Sequence, residues 1–200
     1  MVSFLATFAI AFGAVLLVEL PDKTLVATLV LSTKYRPRPV LAGAAAAFAV
    51  QCLVAVTAGG LLRLLPHRAL EAIVAVLFAF GAFVLFREGI GDDEEDEGTD
   101  AASSGAPLSN RRIFGISFGV LFAAEWGDAS QLATAGLVAR YGQPVAIGIG
   151  ALLALVAVAT IAALAGKVIL RKVPLNWVHR AAGALFAAFA VIAAVAAIRG

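Results

Sequence analysis

The sequence predicts an all-α integral membrane protein of six transmembrane helices, arranged as two inverted three-helix repeats. Three observations carry this expectation. The 200 residues are 62% hydrophobic and 14% charged, with a mean hydropathy of +0.99. A soluble domain is roughly 45–50% apolar and about 25% charged. The apolar residues fall into six runs, and a polar stretch inside the first of them returns in the fourth. The first copy is Glu19-Leu20-Pro21-Asp22-Lys23-Thr24, and the second is Glu125-Trp126-Gly127-Asp128-Ala129-Ser130.

A span needs about 20 apolar residues to cross roughly 30 Å of hydrocarbon. Six candidates run over 4–33, 40–62, 69–87, 113–139, 145–166 and 175–198. The first and fourth are longer than required and contain the polar stretches, so tilted or broken helices are expected there. Met1-Val2-Ser3 carries no Lys or Arg, whereas a cleaved signal peptide needs a positive start. The first run is therefore read as a retained span. Lys34-Tyr35-Arg36-Pro37-Arg38-Pro39 forms a basic turn after it, and Leu65-Pro66-His67-Arg68 separates the second and third runs. From about Glu88 to Arg112 comes the one long hydrophilic segment. It holds Asp92, Asp93, Glu94, Glu95, Asp96, Glu97 and Asp100, then a Ser/Gly/Pro stretch, which is the composition of a disordered linker. Tyr141-Gly142-Gln143-Pro144 and the segment Lys167 to Pro174 connect the last three runs. The domains expected are a first repeat at 1–87, the acidic linker at 88–112 and a second repeat at 113–200.

Lys and Arg gather on the cytoplasmic side of membrane proteins. The loops after spans one, three and five carry Lys34, Arg36, Arg38, Arg87, Arg111, Arg112, Lys167, Arg171, Lys172 and Arg180. The other side carries Arg63, Arg68, Arg140 and Arg199. Ten against four places the first set inside. Both termini then lie outside a plasma or inner membrane, and the acidic linker is cytoplasmic. A net charge of +2 is too small to suggest nucleic acid as a partner, and the single Cys52 excludes an internal disulfide or a cysteine metal cluster.

Shifting the chain by 106 residues lays Glu19 on Glu125, Asp22 on Asp128, Thr24 on Ser130 and Thr28 on Thr134. The same shift lays Phe12-Gly13 on Phe118-Gly119 and Lys34-Tyr35 on Arg140-Tyr141. Three spans per half is an odd number, so the two copies must cross in opposite directions. Inverted repeats with a site at the midplane are a common transporter plan.

Of the 13 acidic residues, seven are in the linker, while Glu71 and Glu88 fall at span ends. Glu19, Asp22, Glu125 and Asp128 are left deep in the apolar runs. Ionised groups in hydrocarbon are costly and persist where they have a function. Each pair is spaced i, i+3, which puts both carboxylates on one helix face. Four carboxylates cannot all stay ionised together in a low dielectric. Protons or a divalent cation relieve them, and that competition is itself a mechanism of exchange. Lys23 offsets one charge four residues from Glu19, while its counterpart is Ala129. Carboxylates with the hydroxyls of Thr24, Ser130, Thr28 and Thr134 make an oxygen set suited to Mn²⁺, Ca²⁺ or Mg²⁺; Zn²⁺ and Cu⁺ prefer His, Cys or Met. Pro21 and Gly127 would each loosen a helix there and free backbone carbonyls as further ligands.

A twice-repeated Glu-x-Gly-Asp-Lys/Arg-Ser/Thr motif, in six spans with an acidic central loop, resembles the manganese/calcium–proton antiporter family. That family includes the Golgi manganese transporter and bacterial manganese exporters. The similarity covers nearly the whole chain. It implies that Glu19, Asp22, Thr24, Glu125, Asp128 and Ser130 bind Mn²⁺ or Ca²⁺ in exchange for H⁺, with no resident cofactor. Two positions depart from the motif: Pro21 stands for its glycine and Ala129 for its Lys/Arg. Lys23, Thr28, Gln51, Gln131 and Thr134 are accessory candidates.

Plainer roles stand beside these. Buried acids can be glue between helices, Gln51 and Gln131 can be helix–helix hydrogen bonds, and Lys23 can be a structural partner of Glu19. Trp126 can wall the site or only pack. Cys52 reads as packing, His67 and His179 as interfacial side chains, and Gly43-Ala44-Ala45-Ala46-Ala47 as a close helix contact. Rival functions are an intramembrane aspartic protease built on Asp22 and Asp128, a passive channel or scaffold, and an amino-acid exporter. The protease leaves Glu19 and Glu125 unexplained, and an amino-acid site is disfavoured by four acids facing a substrate carboxylate. No Walker A loop is present, so a gradient is the expected energy source. The partners expected are a divalent cation, protons and the lipid bilayer, with the oligomeric state open.

Overall fold

The structure is a computed structural model that describes residues 2–19, 23–88, 108–169 and 175–199. The expectations for Pro21, Asp22, the acidic linker and the loop at 170–174 lie outside these residues. So do those for the side chains of Lys23, His67 and His179. The described residues form eight α-helices and no strand: α1 (Phe4–Glu19), α2 (Lys23–Lys34), α3 (Pro37–Leu62), α4 (His67–Glu88), α5 (Asn110–Ala124), α6 (Ala129–Tyr141), α7 (Pro144–Ile169) and α8 (Leu175–Arg199).

The two long runs with polar stretches are each divided into two helices. α1 and α2 flank the first stretch, and α5 and α6 flank the second. The local reason is visible in the second half. Glu125 ends α5, Gly127 takes φ 77°, and Asp128 restarts the chain as the N-cap of α6, accepting from the Ser130 N–H at 3.4 Å. A φ of that sign favours glycine, since a Cβ there crowds the carbonyl. Other boundaries follow ordinary capping. Pro37 opens α3, where its missing N–H is harmless. Ser109 caps α5 by accepting from Arg112 N, so that helix begins at Asn110, three residues before the expected span. Gly142, at φ 68°, closes α6.

α3 and α7 are long and apolar enough to cross a membrane, at Pro37–Leu62 and Pro144–Leu164. They pack on each other at the centre, and each also receives the broken helix of the other half: α1 and α2 lie on α7, α5 and α6 on α3. The crossings repeat in detail. A Cβ on Gly43 would meet Phe114 O at 2.5 Å and Phe118 N at 3.0 Å. A Cβ on Gly150 would meet Phe8 O at 2.7 Å and Phe12 N at 3.2 Å. The two contacted phenylalanines of one crossing are 106 residues from those of the other. Backbone-to-backbone approach of this kind is what small residues permit between apolar helices. α4 and α8 form the remaining pair, where Phe78 packs edge-on to Phe186 at 5.5 Å and tilted against Phe189 at 5.1 Å.

Candidate cation site

The polar stretches meet where the broken helices end. Glu19 is the last residue of α1, Glu125 follows the last turn of α5, and Asp128 precedes α6. One carboxylate oxygen from each lies within 4.8 Å of the others. Around one Ca²⁺ the ligand oxygens sit at about 2.3–2.6 Å from the ion, hence at most about 5 Å apart. The spacing therefore fits a single cation held by both halves of the chain. Helix C-terminal ends carry partial negative charge, so two of them ending here add to the attraction for a cation.

Burial sharpens this. Glu19 is 0% and Glu125 2% exposed, with Asp128 half-buried. Thr24, Ser130 and Glu125 flank the Glu19 carboxyl, with the Asp128 charge also near it. Even so, neither Glu19 oxygen closes a well-formed hydrogen bond. Buried polar atoms are normally satisfied. A buried carboxylate set among acids and hydroxyls, with no well-formed bond of its own, is fitted to a proton or a metal ion.

The accessory residues divide. Thr24 and Thr28 are fully buried; the Thr24 hydroxyl lies beside the Glu19 carboxyl, and the Thr28 hydroxyl has no hydrogen-bond partner. Ser130 is buried beside the cluster. Thr134 instead donates to Ser130 O at 2.8 Å, a bond within its own helix. Gln51 is a helix–helix link: its Nε2 donates at 2.9 Å to Phe122 O, a carbonyl in the last turn of α5. Gln131 accepts from Gly127 N at 3.0 Å and braces the turn. Trp126 does not wall the site. It is 59% exposed, with its ring 5.2 Å from Phe122. A small cavity beside Glu125 is lined by Gln51, Cys52, Ser130, Gln131 and Thr134 among others.

Two expectations are corrected here. The i, i+3 spacing of Glu125 and Asp128 does not place them on one helix face. They stand on opposite sides of the Gly127 turn, joined by Asp128 N donating to Glu125 O at 3.3 Å. Nor are the motif acids the only buried ones. Glu71 is 2% exposed and paired with Arg140 across α4 and α6. Nothing in the local sequence marks that pair, because its members are 69 residues apart. Cys52 also proves to border the site cavity, which its apolar neighbours in sequence concealed.

Gly127→Ala is expected to strain the turn by about 1–2 kcal/mol, the cost of left-handed backbone for a residue with Cβ. A Cβ there meets no atom within 4 Å, so the effect is conformational rather than steric. Gly127→Asn, which tolerates this region better, is expected to lose less stability and less transport. Thermal unfolding and transport of the two variants check the ranking.

No solved structure matches the chain. The model of the divalent cation/proton antiporter family GDT1 matches residues 7–93 and 113–200. A GDT1-like protein of Synechocystis sp. is 31% identical over 87% of this chain and 89% of its own length. GDT1-like protein 5 of Arabidopsis thaliana is 30% identical over 94% of this chain and 95% of its own. With buried acids gathered at paired helix breaks and both halves of the chain matched, this transmembrane protein belongs to the GDT1 family of divalent cation/proton antiporters.

Proposed function

We propose that this protein exchanges Mn²⁺ first, and Ca²⁺ second, for protons, moving the cation out of the cytoplasm across the plasma or inner membrane. One observation carries the reading. Glu19 from the first half and Glu125 and Asp128 from the second bring buried carboxylate oxygens within 4.8 Å of one another. The ligand set is Glu19, Asp22, Thr24, Glu125, Asp128 and Ser130, with Asp22 included on its sequence match to Asp128. Thr28 offers a further hydroxyl. Gln51, Gln131 and Thr134 shape the second half of the site, and Lys23 offsets charge in the first.

Six spans in two inverted repeats are the architecture of this reading, α1–α4 forming one repeat and α5–α8 the other, with the acidic linker between them. The reciprocal crossings at Gly43 and Gly150 support it. Both termini face outward, following the Lys and Arg bias of the loops. In the cycle, ionised carboxylates take a cation from the cytoplasm and the two halves rock. Protons from outside then displace the cation, and the protonated site returns. Metal and protons occupy the same oxygens in turn, which couples the two fluxes without a further device.

Asp22→Asn and Asp128→Asn are each expected to abolish metal-driven proton movement in proteoliposomes; full exchange in both would sink the model. Binding to the purified wild type should rank Mn²⁺, then Ca²⁺, ahead of Mg²⁺ and Zn²⁺. It should weaken as pH falls, because the carboxylate ligands must be deprotonated to bind. An affinity that does not change with pH would remove the coupling.

A further inference from the structure

Among the described residues one ion pair is found, and it lies away from the carboxylate cluster. Glu71, in the first turns of α4, accepts from the Arg140 guanidinium at 2.5 Å. Its second oxygen, Oε2, is buried with no hydrogen-bond partner. The pair is part-buried, with Arg140 35% and Glu71 2% exposed, and a pair so placed adds little net stability. Its best-attested use is to fix one arrangement of elements against another.

Arg140 is in the last turn of α6. The N-terminal end of the same helix carries Asp128 and Ser130, about 15 Å away along the axis at 1.5 Å per residue. The Gly127 turn separates α6 from α5, so α6 can pivot as an element of its own. Two other long-range links lie at the Arg140 end. Arg63 donates to Gly142 O at 3.4 Å, and Gln143 donates to Val2 O at 2.7 Å. At the opposite end the exposed Arg36 donates to Asn110 Oδ1 at 3.4 Å. Lys34, which the 106-residue shift lays on Arg140, is exposed and makes no ion pair among the described residues. The Glu71–Arg140 pair therefore has no counterpart at Lys34 among the described residues.

We propose that Glu71 and Arg140 are a latch that holds the Arg140 end of the bundle closed over the cation site, and that the pair parts when the site opens to that face. They act as positioning residues through α6, not as ligands. The inference rests on the exchange reading, in which the site opens to each face in turn.

The chain supplies its own reporter. Cys52 is the single cysteine, is buried, and lines the cavity with Glu125 and Ser130. A membrane-impermeant methanethiosulfonate is applied to intact cells and to inverted membrane vesicles containing the full chain. Glu71→Gln and Arg140→Gln are each expected to speed Cys52 labelling from the Arg140 face by about fivefold or more, the lower range of coupling between distant sites. Labelling from the other face should not rise. Arg140→Lys, which keeps the charge, and the swap Glu71→Arg with Arg140→Glu are expected to return labelling toward the wild-type rate.

Unchanged labelling in both neutral variants overturns the latch, as does an equal rise from both faces, which is the mark of general loosening. Should the neutral variants fail to reach the membrane, the swap decides: wild-type labelling supports the latch, and labelling still raised from that face overturns it. Because accessibility is read rather than transport, a latch effect in a protein that exchanges no cation would count against the exchange reading alone.

Discussion

Glu19→Gln is expected to lower metal-driven proton exchange by about 100-fold or more while leaving thermal stability unchanged or raised. Loss of a residue that merely supports a metal ligand costs about 10–100-fold in affinity or activity, and loss of a ligand costs at least as much. The opposite signs follow from the site. Glutamine keeps the shape of the side chain and removes a charge that sits fully buried among Glu125 and Asp128. Without a cation, like charges at this distance oppose one another in a low dielectric, so neutralising one relieves the apo protein. A carboxylate that served as helix glue would behave otherwise, since removing one partner of a buried charged contact is strongly destabilising. Unfolding temperature in detergent, read beside exchange in proteoliposomes, separates the two. A Glu19→Gln protein that unfolds earlier and still transports would overturn the assignment.

Gly43→Ala and Gly150→Ala are each expected to give a large loss of stability. At Gly43 the new Cβ would lie 2.5 Å from Phe114 O, and at Gly150 2.7 Å from Phe8 O. The obstructing atoms are backbone carbonyls, so no rotamer change makes room and the helices must separate. Overpacking of this kind costs about 1–3 kcal/mol and occasionally more. Gly13→Ala and Gly119→Ala provide matched controls, since nothing lies within 4 Å of a Cβ at either position. There alanine should stabilise slightly, because glycine is about 0.8–1.0 kcal/mol the poorer helix former. Equal unfolding temperatures for the crossing and control variants would show that the helices do not meet as described.

Much of the site was legible in the sequence. The 106-residue shift paired Glu19 with Glu125 without any structure, and the surrounding apolar residues made the charges conspicuous. The same shift could not reveal the reciprocal crossings. Gly43 and Gly150 are 107 residues apart, one step out of register with the motifs. Their role also depends on which helix lies opposite. Glu71 illustrates the converse limit. Its position near a helix end made it look solvated, and only the approach of α6 shows it buried against Arg140.

The halves differ more than the motifs suggested. Pro21 against Gly127 was visible as a substitution, and the φ of 77° at Gly127 shows what its glycine is for. Gln51 bonds the carbonyl of Phe122, whereas Leu16, which the 106-residue shift lays on Phe122, packs against the apolar cluster of Leu25, Val158 and Ala162. The polar cavity beside Glu125 takes its walls from both halves, Gln51 and Cys52 from the first and Ser130, Gln131 and Thr134 from the second.

By itself, then, the sequence determined the class of the protein, its two motifs and the oxygen-rich side chains they carry. Those properties are written in residue type and spacing along one chain: hydropathy selects the bilayer, and isolated charges within it select a function. Only the tertiary structure decided that Glu19, Glu125 and Asp128 stand at helix ends rather than on a helix face, and that they converge. It alone tied α6 to α4 through the ion pair of Arg140 with the buried Glu71. Such facts depend on backbone dihedrals at one glycine and on contacts between residues far apart in the chain, and neither leaves a periodic trace in the sequence.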